Sequence, residues 1–310
     1  MLVLLLLALV LHAAAVRLFA RRDIGGVVRL PVAVRHGERA ATRPPALPAS
    51  DWSLKSVFTR GLGMLVVPAA WWTLVTAGFA AWMVVVVHHA AATLNNLLAG
   101  SPSIAAAFQQ LGGQGASLDA ALLDTMFLLL PIFLMAFAVT QVSRWAADED
   151  DGRLDLLLAT PRPRAAVLLG RFAALACAIA AMALVTLLAA ALAAVASGLP
   201  LAAGRLAAAC VGMIPLALLI AALGYLGSGW LRTAADTGLL SLVLLVWLFV
   251  AFIGPDLSWP GALLRLSPLY DYGHLLTHGV SVAASLSLLA LAGLALSLAT
   301  ARFARKDVSV

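Results

Sequence analysis

Few residues in this chain are of a type that does chemistry, and their placing narrows what is open to it. His274 and His278 stand four apart, so a helix would turn both to one face, and Asp271 lies nearby, the makings of a metal site. No His-Glu-x-x-His accompanies them and Gly279 follows at once, so a non-ligand role is the plainer reading. His88-His89 reads as a wet boundary rather than a ligand pair, and His12 as a packed or lumen-facing side chain. Cys177 and Cys210 fall in apolar runs and read as small core residues, with no disulfide framework. A phosphate-binding loop needs Gly-Lys-Ser/Thr after a glycine-rich turn. Lys55 follows Leu54 and Lys306 precedes Asp307, so neither belongs to one. The densest chemistry is acidic: Asp148, Glu149, Asp150 and Asp151 are consecutive, and Gly152 follows them.

The acids open a segment that lies between two long apolar runs. Leu154, Leu157 and Leu158 recur at helical spacing and would form one apolar stripe, interrupted by Asp155. Thr160 precedes Pro161 and is biased out of the helical region, which ends the run. Acids at the start of a helix gain from the positive end of its dipole. Arg162, Arg164 and Arg171 then mark the boundary of the next apolar segment. The residues alone leave two readings open: a short amphipathic helix on the membrane's inner face, or a solvated loop between two spans.

The run D-E-D-D-G-R-L-D-L-L-L-A-T-P-R-P-R resembles a signature of ABC exporter permeases of the second class: acidic residue, Gly-x-Leu-x-x-Leu-Leu-Ala-Thr-Pro-x-x-Arg. These are the membrane subunits of drug, antibiotic and polysaccharide exporters, and order, spacing and flanking spans agree with the pattern together. Two positions depart from it, Arg153 where Thr is usual and Pro163 where a small polar residue is common; Arg153 would alter a docking face. The resemblance implies that residues 148–160 are a coupling helix between the second and third spans of a six-span unit. It would dock on a separate ATP-binding subunit through Asp148, Glu149, Asp150, Asp151, Gly152, Leu154, Asp155, Leu157, Leu158, Thr160 and Pro161. ATP and Mg would be held by that partner, and this chain would need no cofactor of its own.

The elements that position the segment are membrane spans. Of the 310 residues 63% are hydrophobic and 11% charged, and the mean hydropathy is +1.03, which excludes a soluble globule. Apolar runs of about 20 residues fall at Leu2–Phe19, Gly61–Val87, Thr125–Ser143 (broken by Pro131), Phe172–Val195, Leu206–Gly227, Thr237–Gly254 and Val280–Thr300. Residues 25–60 form a basic, proline-bearing linker. Trp52, Leu54, Val57 and Phe58 could lie there as an interfacial, elbow-like helix, and residues 25–49 could equally be a disordered tether. His88 to Leu118 reads as an outer loop, with a short surface helix possible at Ile104–Leu111, and Ser197-Gly198-Leu199-Pro200 as a turn. Residues 255–279 form an outer segment in which Trp259, Tyr270 and Tyr272 would be interfacial anchors, before the last span.

Sidedness follows from charge. All 20 Lys and Arg residues except Arg205 and Arg265 fall on the proposed inner side, as the positive-inside rule requires. That puts the N-terminus outside, the C-terminus in the cytoplasm and the chain in the plasma membrane, and leaves the net charge of +6 no nucleic-acid meaning. Asp119, Asp124 and Asp236 lie near span ends, which argues against a proton- or sodium-coupled carrier.

One repeat bears on organisation: Phe19-Ala20-Arg21-Arg22-Asp23-Ile24 matches Phe303-Ala304-Arg305-Lys306-Asp307-Val308, each after an apolar span. Either a short basic-aromatic motif recurs by chance, or residues 1–24 are the last span of a preceding repeat. The second layout resembles fused twelve-span antibiotic exporter permeases. The chain thus reads as an all-α polytopic membrane bundle, one N-terminal span plus a six-span permease unit at 61–310. Its partners would be an ATP-binding subunit, a second permease half or copy, and the bilayer. Export of an amphipathic or lipophilic compound is the function this implies; a non-transporting sensor or immunity component of an ATPase, or a membrane enzyme, are the alternatives.

Overall fold

A computed structural model describes Trp52 and residues 55–99, 118–150, 163–199, 201–272, 276, 279 and 281–305. The chain divides into two units, Met1–Pro48 and Ala49–Val310, and all described residues belong to the second. The expectations for Leu2–Phe19, for residues 25–49, for Ile104–Leu111, for Phe19–Ile24 and for His274 and His278 lie outside the described residues.

Every regular element among the described residues is helical: α1 (Val57–Ala99), α2 (Leu118–Phe127), α3 (Leu130–Asp150), α4 (Arg164–Ser197), α5 (Ala203–Gly227), α6 (Thr233–Ile253), α7 (Gly261–Leu264), α8 (Pro268–Tyr272) and α9 (Val282–Arg305). Among them six segments are long and apolar enough to cross a membrane, α2 and α3 counting as one. The protein is an all-α, multi-pass membrane bundle. Two ends differ from the sequence reading. The span expected from Gly61 starts at Val57, because Ser56 and Thr59 cap it reciprocally: Thr59 N–H donates to Ser56 Oγ at 3.0 Å, and Ser56 N–H to Thr59 Oγ1 at 2.9 Å. Val57 and Phe58 are therefore its first turn rather than a separate interfacial helix. At its far end α1 runs on through His88 and His89 to Ala99, where an outer loop was expected, since no glycine or proline intervenes.

The break at Pro131 appears as expected. Proline lacks the N–H that would bond four residues back, and its ring crowds that carbonyl, which belongs to Phe127, the last residue of α2. The turn Ser197-Gly198-Leu199 is also as expected. Gly198 takes φ +69°, and its N–H and that of Leu199 return to Val195 and Ala194 at 3.2 and 3.0 Å, closing α4 with a left-handed cap.

The centre of the bundle is α3 and α5, whose spans are the most buried, while α6 and α9 present most of their surface outward. The longest pairing is α1 against α4. It is close because α4 buries Ala174, Ala178, Ala183, Ala190 and Ala194 along one face. At Gly61 of α1 an added Cβ would meet that of Ala174 at 2.9 Å, so only glycine lets the backbones approach this far. In hydrocarbon each polar side chain must find a partner. Thr73, Thr76 and Thr186 donate to carbonyls four residues back, and the Ser143 and Thr237 hydroxyls meet across α3 and α6 at 2.7 Å. Cys210 is buried as expected, but Cys177 sits on the exposed face of α4, so it is no core residue.

The segment after α6 forms two short helices, α7 and α8, and is tied down at two points. Ser267, fully buried, donates its hydroxyl to the Trp247 carbonyl of α6 at 2.7 Å. Asp124 of α2 accepts the Leu276 N–H at 2.7 Å while Arg205 of α5 donates to the Leu276 carbonyl at 3.2 Å. The backbone of one residue is thus held by an acid and a base from different helices. Trp259 packs against Phe249 of α6, ring centres 6.1 Å apart.

Candidate functional site

The ends of α3 and α5, the starts of α1, α4 and α6 and the end of α9 come together at one end of the bundle. Of the ten Lys and Arg among the described residues, eight are at this end; Arg205 and Arg265 are at the other. The acidic segment enters the structure here. The helix α3 continues through Trp145-Ala146-Ala147 into Asp148, Glu149 and Asp150, which occupy its last turn. The sequence reading put these acids at the start of a helix over 148–160; the preceding span's helix runs into them as far as Asp150, and the rest of that segment lies outside the described residues. No breaker stands between Ser143 and Gly152, so the helix of the preceding span propagates into the charge. Asp151, Gly152, Leu154, Asp155, Leu157, Leu158, Thr160 and Pro161 lie outside the described residues, and the side chains of Glu149 and Asp150 are likewise undescribed.

Carboxylates in the last turn face the negative end of the helix dipole, a placing that opposes them by about 0.3–1 kcal/mol each. Asp148 is offset by a partner from the neighbouring helix. Arg171 of α4 reaches it with an Nη2–Oδ2 distance of 2.8 Å, the two side chains being only 15% and 16% exposed. Arg171 stands seven residues inside α4, roughly 10 Å along the axis, so the helix begins before the boundary that this residue was expected to mark.

An aromatic knot positions the guanidinium. It lies over the Trp145 ring, 5.3 Å from the centroid. Trp145, 1% exposed, packs on Tyr225 of α5 (5.6 Å) and on Phe303 of α9 (5.7 Å), and Tyr225 meets Phe172 of α4 at 5.9 Å. Four helices are therefore joined around one cation–carboxylate pair. Phe303, the aromatic of the repeated hexapeptide, is one of its walls. Sequence reasoning missed this arrangement. The available signal was a lone Arg between Gly170 and Phe172, well inside an apolar helical pattern, 23 residues after the first acid.

The same end holds a buried acid. Asp236 is the fourth residue of α6, near a span end as expected, but it is 1% exposed and its Oδ2 has no hydrogen-bond partner. Its other oxygen packs against Gly227, where an added Cβ would collide with it. Asp124, near the opposite end, is buried too, but it is engaged with Leu276.

None of these groups forms a nucleophile–base or proton-transfer constellation; they fasten helices to one another at a charged membrane boundary. A comparison with curated proteins finds none that matches the chain. Residues 54–304, which take in the six described spans up to Ala304, match the family described as the multidrug efflux system permease Rv1217c, C-terminal domain. The chain belongs to that family, and it is a multi-pass membrane permease of the efflux kind.

Proposed function

We propose that this chain is the membrane subunit of an ATP-driven ABC exporter, with ATP and Mg held by a separate ATP-binding subunit. Residues 148–160 form its coupling element, and the compound it moves is amphipathic or lipophilic. The observation that carries the reading is the way the acidic segment is mounted. It joins the end of α3 to the start of α4, and Asp148 and Arg171 bind those two helices to each other beside it. A push on the segment by a closing partner reaches both spans at once. The eight basic residues at that end support a cytoplasmic placing for it, where such a partner would be, and α9 ends at the same end of the bundle. A second half, either another copy or a separate chain, would complete the path.

The test uses the complex with the ATP-binding subunit in proteoliposomes. Asp150→Lys, Asp151→Lys and Leu157→Ala should leave membrane insertion intact and abolish both cargo efflux and the permease-dependent rise in ATP hydrolysis. Unchanged coupling in all three variants would remove residues 148–160 from the mechanism. Loss of efflux with coupling kept would point to a path defect instead.

A further inference from the structure

The knot described above leaves a small open cavity beside it, of about 50 Å³, between α1, α3, α4 and α5. Its polar wall is Gln141, Arg144, Arg171 and the Tyr225 ring; its apolar wall includes Met64 and Leu65. Two guanidinium groups thus border a space to which, among the described residues, only Asp148 brings a carboxylate, and it brings that to Arg171. Arg144 is exposed and, among the described residues, makes a single long contact, Nη1 donating to Gln141 Oε1 at 3.4 Å. Counted over the described residues, the space has a surplus of positive charge and several hydrogen-bond donors.

Its depth and surroundings define the ligand further. Arg144 and Arg171 stand roughly 9–10 Å from the ends of α3 and α4. With the membrane boundary near those ends, both guanidinium groups would lie between the hydrocarbon edge and the aqueous phase, where headgroups reside. From the cavity an apolar track leads along α1: Met64, Val67 and Trp71, at helical spacing, are 51%, 65% and 66% exposed. A ligand matched to this geometry has an acid group for the guanidiniums and an apolar tail for the track.

We propose that this cavity binds an anionic amphiphile, a molecule with a phosphate or carboxylate head and at least one hydrocarbon chain. Its acid group is held by Arg144 and Arg171, and its chain lies along Met64, Val67 and Trp71. The proposal deepens the exporter reading by naming a ligand class, yet the site is defined without it. Binding also has a consequence for the acidic segment: the incoming anion competes with Asp148 for Arg171, so occupancy loosens the tie between α3 and α4.

The experiment measures retention of dioctanoyl phosphatidylglycerol and dioctanoyl phosphatidylcholine by the purified full-length chain in detergent, by native mass spectrometry. No ATP, partner subunit or transport is needed, so failure here leaves the exporter reading standing, and failure of efflux leaves this one standing. The anionic lipid should bind about tenfold more tightly than the zwitterionic one. Arg144→Gln, at an exposed position that does not hold the fold, should remove that preference. Asp148→Asn should raise affinity severalfold, because it frees Arg171; a general folding defect would lower it. Dodecyl phosphate should displace the lipid, whereas inorganic phosphate at equal concentration should not. Equal retention of the two lipids, an unchanged Arg144→Gln, a weakened Asp148→Asn in monodisperse protein, or displacement by inorganic phosphate alone would each overturn the assignment.

Discussion

The pair Asp148–Arg171 makes a quantitative demand on the fold. Arg171→Ala removes a charge 2.8 Å from Asp148 and a cation 5.3 Å from the Trp145 ring. The direct attraction of such a pair, at an effective dielectric near 20, is about 6 kcal/mol, most of which desolvation cancels. Leaving one member behind is the larger effect. A covered charge that loses a cation partner costs up to about 3–5 kcal/mol, and the lower bound applies here because Asp148 keeps some water and a further interaction. The lost cation–π contact adds about 1 kcal/mol. Arg171→Ala should thus destabilise by about 3–4 kcal/mol, with no helix-propensity penalty, alanine being the best helix former. Asp148→Ala should cost less, about 1–2 kcal/mol, since Arg171 still lies on Trp145 and its long arm can turn toward water. Removing both leaves no orphaned charge, so the double variant should fall short of the sum by about 2 kcal/mol. Reversible unfolding in mixed micelles with increasing dodecyl sulfate, followed by circular dichroism, gives the four free energies. Additivity to within about 0.5 kcal/mol would show that the two side chains act independently, and the knot would lose its centre.

Other positions give sharp expectations. Asp124→Ala leaves the Leu276 N–H without its acceptor, a loss of about 1–3 kcal/mol, and hydrogen exchange should show that amide opening sooner while the α4 interior is unaffected. Gly227→Ala drives a methyl into the Asp236 carboxyl and should destabilise by about 1–3 kcal/mol; adding Asp236→Ala should restore most of it, and no rescue would mean that the collision is elsewhere. Dioctanoyl phosphatidylglycerol should tighten docking of the ATP-binding subunit on the permease, measured by surface plasmon resonance, and Asp148→Asn should erase the effect.

Much of the fold was legible because lipid allows few alternatives. Runs such as Leu206–Gly227 must become helices to satisfy their own backbone, and breakers such as Pro131 and Gly198 act locally. What stayed hidden was set by tertiary partners or by unusual caps. The start of α1 uses Thr59 where a capping box normally has Glu or Gln, so the signal passed unread. The acids Asp148–Asp150 carry the composition of a helix start, yet the preceding helix runs into them, and Asp148 is paired there with Arg171 from another helix. Arg205, an exception to the charge asymmetry, gains its reason from the Leu276 carbonyl 71 residues away. No periodicity announces such contacts, since each joins residues that the chain alone does not relate.

That reversal of helix end also explains why a ligand in the cavity and a partner on the acidic segment should influence each other. At a C-terminus Asp148 is opposed by the dipole and favoured by Arg171, so the last turn of α3 is held by a contact that another anion can take over. An amphiphile that claims Arg171 takes that cation from Asp148 and leaves the carboxylate readier to pair with a basic docking groove. A groove that claims Asp148 leaves Arg171 uncompensated and ready for the amphiphile. Each event lowers the cost of the other, and thermodynamic linkage requires the two enhancements to be equal. The clasp between α3 and α4 is thus a switch whose two anions compete for one guanidinium. Asp148→Asn, which leaves that guanidinium a single claimant, should uncouple the sites while each still binds.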